Sequence, residues 1–218
     1  FKPWIMEVRD IWPEAIATLG QLKEDSLIYR LLEKIELALY SSAKKIIVVT
    51  DAFKENLISR NVRESKVFVH KNGVVLDNFK PLQKDELIFN KHPELRNKQI
   101  IAYIGTHGLA HGLSFIIDSI PRVLEKNPDV HFMFIGEGAE KDRIINKAYR
   151  MGLRNVTFLP FVSKNQIVKY LSIIDVSLVN LKKSDTYKTV IPSKIFEAAA
   201  MRKPILLGLE GETKGIIK

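Results

Sequence analysis

The sequence predicts an α/β protein, and three observations carry that reading. Short apolar runs alternate with amphipathic stretches along the whole chain, several runs are apolar on both faces, and Gly-containing loops follow two of them. The strand candidates are Ile5–Val8, Ile46–Val49, Val67–Val69, Ile100–Ile104, His131–Ile135, Val156–Leu159, Val176–Val179 and Pro204–Leu207. They are short, rich in β-branched and aromatic residues, and bounded by polar or Gly positions. Between them the period changes. Ile28, Leu31, Leu32, Ile35 and Leu39 share a helical face, as do Leu113, Ile116, Ile117, Ile120 and Leu124, and Ile167, Tyr170, Leu171 and Ile174. Ser163 with Gln166 predicts a capping box at the start of the last of these. Strand, helix and strand in repetition is the pattern of right-handed βαβ units.

Residues 83–98 turn polar and irregular, with Gln83-Lys84-Asp85-Glu86 and Asn90-Lys91-His92-Pro93-Glu94, and read as a linker. The expectation is therefore two lobes, residues 1–82 and 99–218. The chain opens on Phe1 and stops at Lys218, and its first lobe holds few strands, so truncation at both ends is expected.

Of the 218 residues 46% are hydrophobic and 27% charged, the balance of a globular protein. Cysteine is absent, which excludes disulfides and thiolate metal sites and fits a reducing, cytoplasmic setting. No run approaches the roughly 18 apolar residues of a spanning helix. The net charge of +9 favours anionic partners. Because the basic residues are scattered beside Glu and Asp, a solvated surface is expected rather than a nucleic-acid groove. An anionic membrane surface stays open as a partner. The Ile28–Leu39 face is compatible with it, although burial in the first lobe's own core explains that face more simply.

Three segments could hold chemistry. The run Ile100–Ile104 leads into Gly105-Thr106-His107-Gly108 and then a helix; His131–Ile135 leads into Gly136-Glu137-Gly138 and another. Glycine lets backbone approach a ligand, and free N–H groups at a helix start suit phosphate. A tight strand-to-helix turn needs glycine as well, so both readings stand. In Pro192-Ser193-Lys194-Ile195-Phe196-Glu197, Pro192 interrupts helix, Ser193 is a candidate N-cap, and Lys194 would oppose the helix dipole. A bound anion would explain that lysine, with Glu197 a turn further on; a solvent-facing pair is the alternative. Asp10 and Trp12 follow the first strand. They could orient and stack a ligand at a strand end, or be an N-cap and a core residue.

These segments, in this order, resemble the retaining glycosyltransferases of GT-B type called family four, and most closely their fucosamine or amino-sugar branch of surface polysaccharide synthesis. Glu7–Glu14, Val49–Lys54, Asn72-Gly73-Val74 and Gly208–Glu212 add to the likeness. The resemblance implies two Rossmann-like doubly wound domains with an interdomain cleft. It implies a nucleotide-diphosphate sugar as donor, UDP-linked, and a glycan or lipid-linked acceptor. Donor-binding residues would be Gly105, Thr106, His107, Gly108, Gly136, Glu137, Gly138, Ser193, Lys194 and Glu197, with Asp10 and Trp12 on the acceptor side. Asp10, His107 and Lys194 are the catalytic candidates, and neither metal nor cofactor is expected. Two departures stand out. The family's first of two glutamates is Thr189 here, and its Arg and Lys near the first Gly loop give way to Thr106, His107 and His111. A nucleotide-sugar epimerase and a non-catalytic nucleotide-binding module are the rival readings.

Overall fold

The computed structural model describes residues 2–217. In chain order its elements are β1 (Ile5–Val8), α1 (Glu14–Thr18), α2 (Leu27–Ser42), β2 (Lys45–Val48), α3 (Asp51–Ser59), β3 (Val67–Val69), α4 (Glu86–Lys91), β4 (Gln99–Ile104) and α5 (Leu113–Lys126). They continue with β5 (Val130–Ile135), α6 (Lys141–Arg150), β6 (Val156–Leu159), α7 (Lys164–Ile173), β7 (Val176–Asn180), α8 (Asp185–Lys188), α9 (Lys194–Ala200), β8 (Ile205–Gly208) and α10 (Glu212–Ile216). Each expected strand is present within about a residue of its expected ends.

The chain forms two compact units. One comprises residues up to Asn72, Lys183–Ile191 and residues from Leu209 onward; the other comprises Gly73–Lys182 and Pro192–Gly208. This division differs from the expected lobes. Residues 83–98 are no linker: they carry α4 and a 3-10 turn at Pro93–Leu95, and Ile88, Phe89 and Leu95 are buried in the second unit's core. Those apolar side chains, sparse in polar text, hold the segment against α7.

The first unit's sheet is β1-β2-β3, all parallel, with Met6 beside Ile46 and Ile46 beside Val67. Its core gathers Val8, Ile11, Tyr40, Ile46, Val48, Phe53 and Leu57. Ser26 caps α2 by accepting from the Tyr29 amide at 3.1 Å, and Thr50 caps α3 through the Phe53 amide. The expected burial of the Ile28–Leu39 face is overturned. Ile28, Leu31, Ile35 and Leu39 are 62, 59, 49 and 43% exposed, while Glu36 and Tyr40 point inward. The inward side is held by polar pairing: the Tyr40 hydroxyl donates to Glu36 at 2.5 Å, and the Arg60 guanidinium donates to the same carboxylate.

The second unit's sheet runs β6-β5-β4-β7-β8, also parallel. Alternate residues feed opposite layers. Ile100, Ala102, Met133 and Ile135 pack with α4, α7 and Met201, whereas Tyr103, Phe132 and Phe134 pack with Leu113, Ile117 and Ile120 of α5 and Ile144 of α6. That is the doubly wound arrangement. Two capping expectations fail. Ser163 makes no side-chain cap bond, so the capping box does not form, and Ser193 is already helical (φ −58, ψ −27), which leaves it no extended geometry for capping α9. Among the described residues no helix is long and apolar enough to cross a membrane.

The Glu36 network generates a stability prediction. Removing a buried carboxylate leaves its donors unpaired, so Glu36→Ala should lower the unfolding free energy by about 3 kcal/mol in urea titration. A loss under about 1 kcal/mol would assign the inward side of α2 to apolar packing instead.

Candidate functional site

In the second unit the chain leaves β4, builds β5 and β6 on one side, and returns to place β7 on the other side of β4. The sheet order therefore reverses between β4 and β7, and the loops leaving their carboxyl ends border the place where such sheets hold ligands.

The loops after β4 and β5 are bonded to each other through backbone. The Gly105 amide donates to Ile135 at 2.9 Å, His107 to Glu137 at 2.8 Å, and Glu140 back to His107 at 2.8 Å. Gly105, Gly136 and Gly138 have φ of +144, +148 and +152. A Cβ at Gly136 would stand 1.9 Å from the Gly105 carbonyl oxygen, and one at Gly138 2.6 Å from that of His107. Gly136 and Gly138 are thus required by the turn itself, as one of the two sequence readings held. Gly105 differs: its Cβ would meet the Lys194 ammonium at 2.7 Å. At Gly108 neither φ nor crowding demands glycine.

Lys194 is the centre of the site. Its Nζ is shut off from solvent without a hydrogen-bond partner, 4.0 Å from the centroid of the Tyr103 ring. Tyr103 is itself fully buried and fixed by its hydroxyl, which donates to the Thr106 carbonyl at 2.8 Å. Burial pushes the Lys194 ammonium down to about 8, against a small opposing pull from Glu197. The ring face of Tyr103 partly replaces the lost water, since a cation over an aromatic face is stabilised by the ring quadrupole.

Two imidazoles complete the group around Tyr103, with His107 at 5.8 Å and His111 at 5.7 Å between ring centroids. His107 is 0% exposed, and neither ring nitrogen has a partner. Burial, then the Lys141 charge, lowers it to about 4. His111 is lowered to about 4 by burial and then by Lys194, and its Nδ1 is also buried without a partner. At neutral pH both rings are uncharged. Lys194 is mostly charged, with no carboxylate bonded to it. A buried cation in this position is costly unless an anion arrives.

Of the other expected residues, Thr106 is exposed, and Glu137 is exposed and paired with Lys141 at 2.5 Å. Ser193 is exposed and makes no side-chain cap bond. Glu197 is half-buried, its carboxyl raised by burial, and it lines a cavity of about 500 Å³ with Gly73, Val74, Lys164 and Asn165. Asp10 and Trp12 belong to the first unit, where Asp10 is exposed and caps no helix and Trp12 is 50% exposed. The alternative reading of a cap and a core residue is therefore excluded. Thr189 also lies in the first unit, its hydroxyl donating to the Thr186 carbonyl at 2.6 Å. Two contributors escaped the sequence reading. Tyr103 looked like one more apolar strand residue, and Asn180 ends β7 with its amide donating to the His111 carbonyl. A polar residue closing an apolar strand was the available signal for Asn180. Among the described residues, no three His, Asp or Glu side chains gather as a metal site would require.

Two outcomes are expected from this geometry. Lys194 is depressed in the folded state, so folding releases a proton between about pH 8 and its unfolded value near 10.5. The destabilisation is fully present below pH 8 and is relieved as pH rises through that window. Lys194→Met should accordingly stabilise the protein at pH 7, by on the order of 3 kcal/mol, and the gain should vanish above pH 10.5 in urea titrations. Gly136→Ala should destabilise by more than Gly152→Ala, because a Cβ at Gly152 meets nothing within 4 Å. Equal losses in thermal melts would show that the two loops can part cheaply.

Comparison with known proteins fits this arrangement. The family model for glycosyl transferases group 1 matches residues 84–218. A Pseudomonas aeruginosa protein named probable glycosyltransferase WbjE is 32% identical over 212 residues, covering 95% of this chain and 51% of that protein. WcaI of Escherichia coli, whose name assigns it to colanic acid biosynthesis, is 30% identical over 118 residues, covering 54% of this chain and 28% of WcaI. The chain thus spans about half the length of WbjE, or less for WcaI. Among solved structures, Anabaena Alr3699/HepE in complex with UDP and glucose superposes with a TM-score of 0.76 at 18% identity, over 100% of this chain and 55% of that one. The fold is α/β of GT-B type, with Rossmann-like parallel sheets, and the chain belongs to the glycosyl transferases group 1 family.

Proposed function

We propose that this chain is the donor-holding part of a retaining glycosyltransferase. It would move a sugar, an amino sugar in our reading, from a UDP-linked donor to a glycan or lipid-linked acceptor. The observation that carries the proposal is the Lys194 ammonium, buried without a partner where the β4 loop, Tyr103 and α9 meet. HepE, whose fold this chain shares, is known in complexes with UDP and with UDP-glucose, which supports a uridine diphosphate donor here.

In this reading the diphosphate lies across Gly105 with Lys194 against its oxygens. As the glycosidic bond breaks, negative charge grows on the leaving diphosphate while the sugar gains oxocarbenium character. A cation already fixed at the leaving group, with little water around it, stabilises that charge without reorganising. Glu197 would accept from the ribose hydroxyls beside its cavity. Asp10 and Trp12 would serve the acceptor.

Calorimetric titration of UDP and GDP into the protein tests the site, and UDP is expected to bind more tightly. Replacing Lys194 by Ala should weaken UDP binding by roughly 10- to 100-fold, the size of a lost charge-assisted bond, while uridine affinity stays nearly constant. Equal losses for both would remove Lys194 from the diphosphate. Incubation of the protein with UDP-sugar and acceptor then separates transfer from release of a free sugar epimer, and binding without turnover would favour a nucleotide-binding module.

A further inference from the structure

Lys194 is one of three basic groups set around Tyr103, and the remaining two are uncharged at neutral pH for want of solvent. Their surroundings differ. His107 is wholly enclosed beneath the bonded β4 and β5 loops, with its ring edge-on to Phe134 at 6.4 Å. His111 sits one turn before α5, at the reversal of the sheet. From β4 its ring meets Tyr103; from its own loop, His107; from α9, Lys194 with Glu197 a turn behind. From the end of β7 it meets Asn180, and Lys182 follows, whose amide donates to the Ala110 carbonyl at 2.8 Å.

The Asn180 side-chain amide donates to the His111 backbone carbonyl, and the ring's Nδ1 is left buried without a partner. A neutral imidazole carries its one N–H on one ring nitrogen and shows only a lone pair at the other. Facing a phosphate oxygen, such a lone pair repels. With a proton added, the same atom becomes a charge-assisted donor.

We propose that His111 takes up a proton from solvent when a nucleoside diphosphate occupies this site, and becomes the second cation beside Lys194. The inference rests on the donor-site reading above. The balance is simple: one proton passes from bulk water to Nδ1, and no covalent bond changes. Burial, and after it repulsion from Lys194, holds His111 neutral in the empty site, and both are offset once an anion with two or more charges lies beside the ring. The site thereby gains a cation only when there is charge to neutralise.

The test is calorimetry of UDP binding at pH 7.5 in buffers of different ionisation enthalpy, for the unaltered protein and His111→Gln. The unaltered protein should take up roughly one proton more per UDP than the variant, because the ring binds that proton only in the complex. Equal uptake by both, with UDP bound, overturns the role of His111 and leaves the donor site standing. Absence of UDP binding by the unaltered protein removes both. Should His111→Gln fail to bind UDP, ring nitrogen shifts of the unaltered protein decide the matter. A change from neutral to doubly protonated His111 on adding UDP is expected, and a ring that stays neutral overturns the proposal.

Discussion

An ammonium group out of water, facing an aromatic ring and no carboxylate, is the constraint around which the second unit is arranged. Lys194 reaches that position because Gly105 lacks a Cβ, because Tyr103 is anchored by its own loop, and because α9 begins at Lys194 itself. The first two come from the end of β4 and its loop, the third from a segment far along the chain. The cation is unfavourable for folding, and the layers beneath it, Phe132 and Phe134 on one face and Met133 and Ile135 on the other, provide the apolar burial that outweighs it. This is strain of an electrostatic kind, held in place by packing.

The glycines divide by what they do. Gly136 and Gly138 let two backbones touch, so that the β4 loop is fastened to the β5 loop at three amides and cannot drift. Gly105 instead leaves room over its Cα for a charged group. A loop pinned on one side and open on the other is preorganised for a ligand, which then need not supply the ordering free energy itself.

Most of the architecture was legible in the chain. Strands buried on both faces by helices must be nearly continuous apolar runs, and Ile100–Ile104 and His131–Ile135 have no other simple reading. Their ends were less visible, since Gln99 and Asn180 extend strands with polar side chains. The segment 83–98 was misread because three buried apolar residues in a short helix and a 3-10 turn are too few to show a period. The α2 error has a different origin. Periodicity identifies an apolar face but not the direction it takes, and here the inward side carries Glu36 and Tyr40, with Tyr40 and Arg60 both donating to the Glu36 carboxylate. At the site, glycines and a lysine could be read from spacing. The burial of Lys194 could not, because it depends on Tyr103, far away along the chain.

The stripe on α2 has a practical consequence. Ile28, Leu31, Ile35 and Leu39 lie bare on one side of a single helix, and Leu27 adds a fifth at 82% exposure. Such a surface favours association between copies, opposed at neutral pH by mutual repulsion of molecules carrying +9. That repulsion fades as the medium approaches the isoelectric point near 9.6, while the stripe is indifferent to pH. Colloidal behaviour should therefore worsen toward alkaline conditions and with added salt, the reverse of what a mostly acidic protein would show.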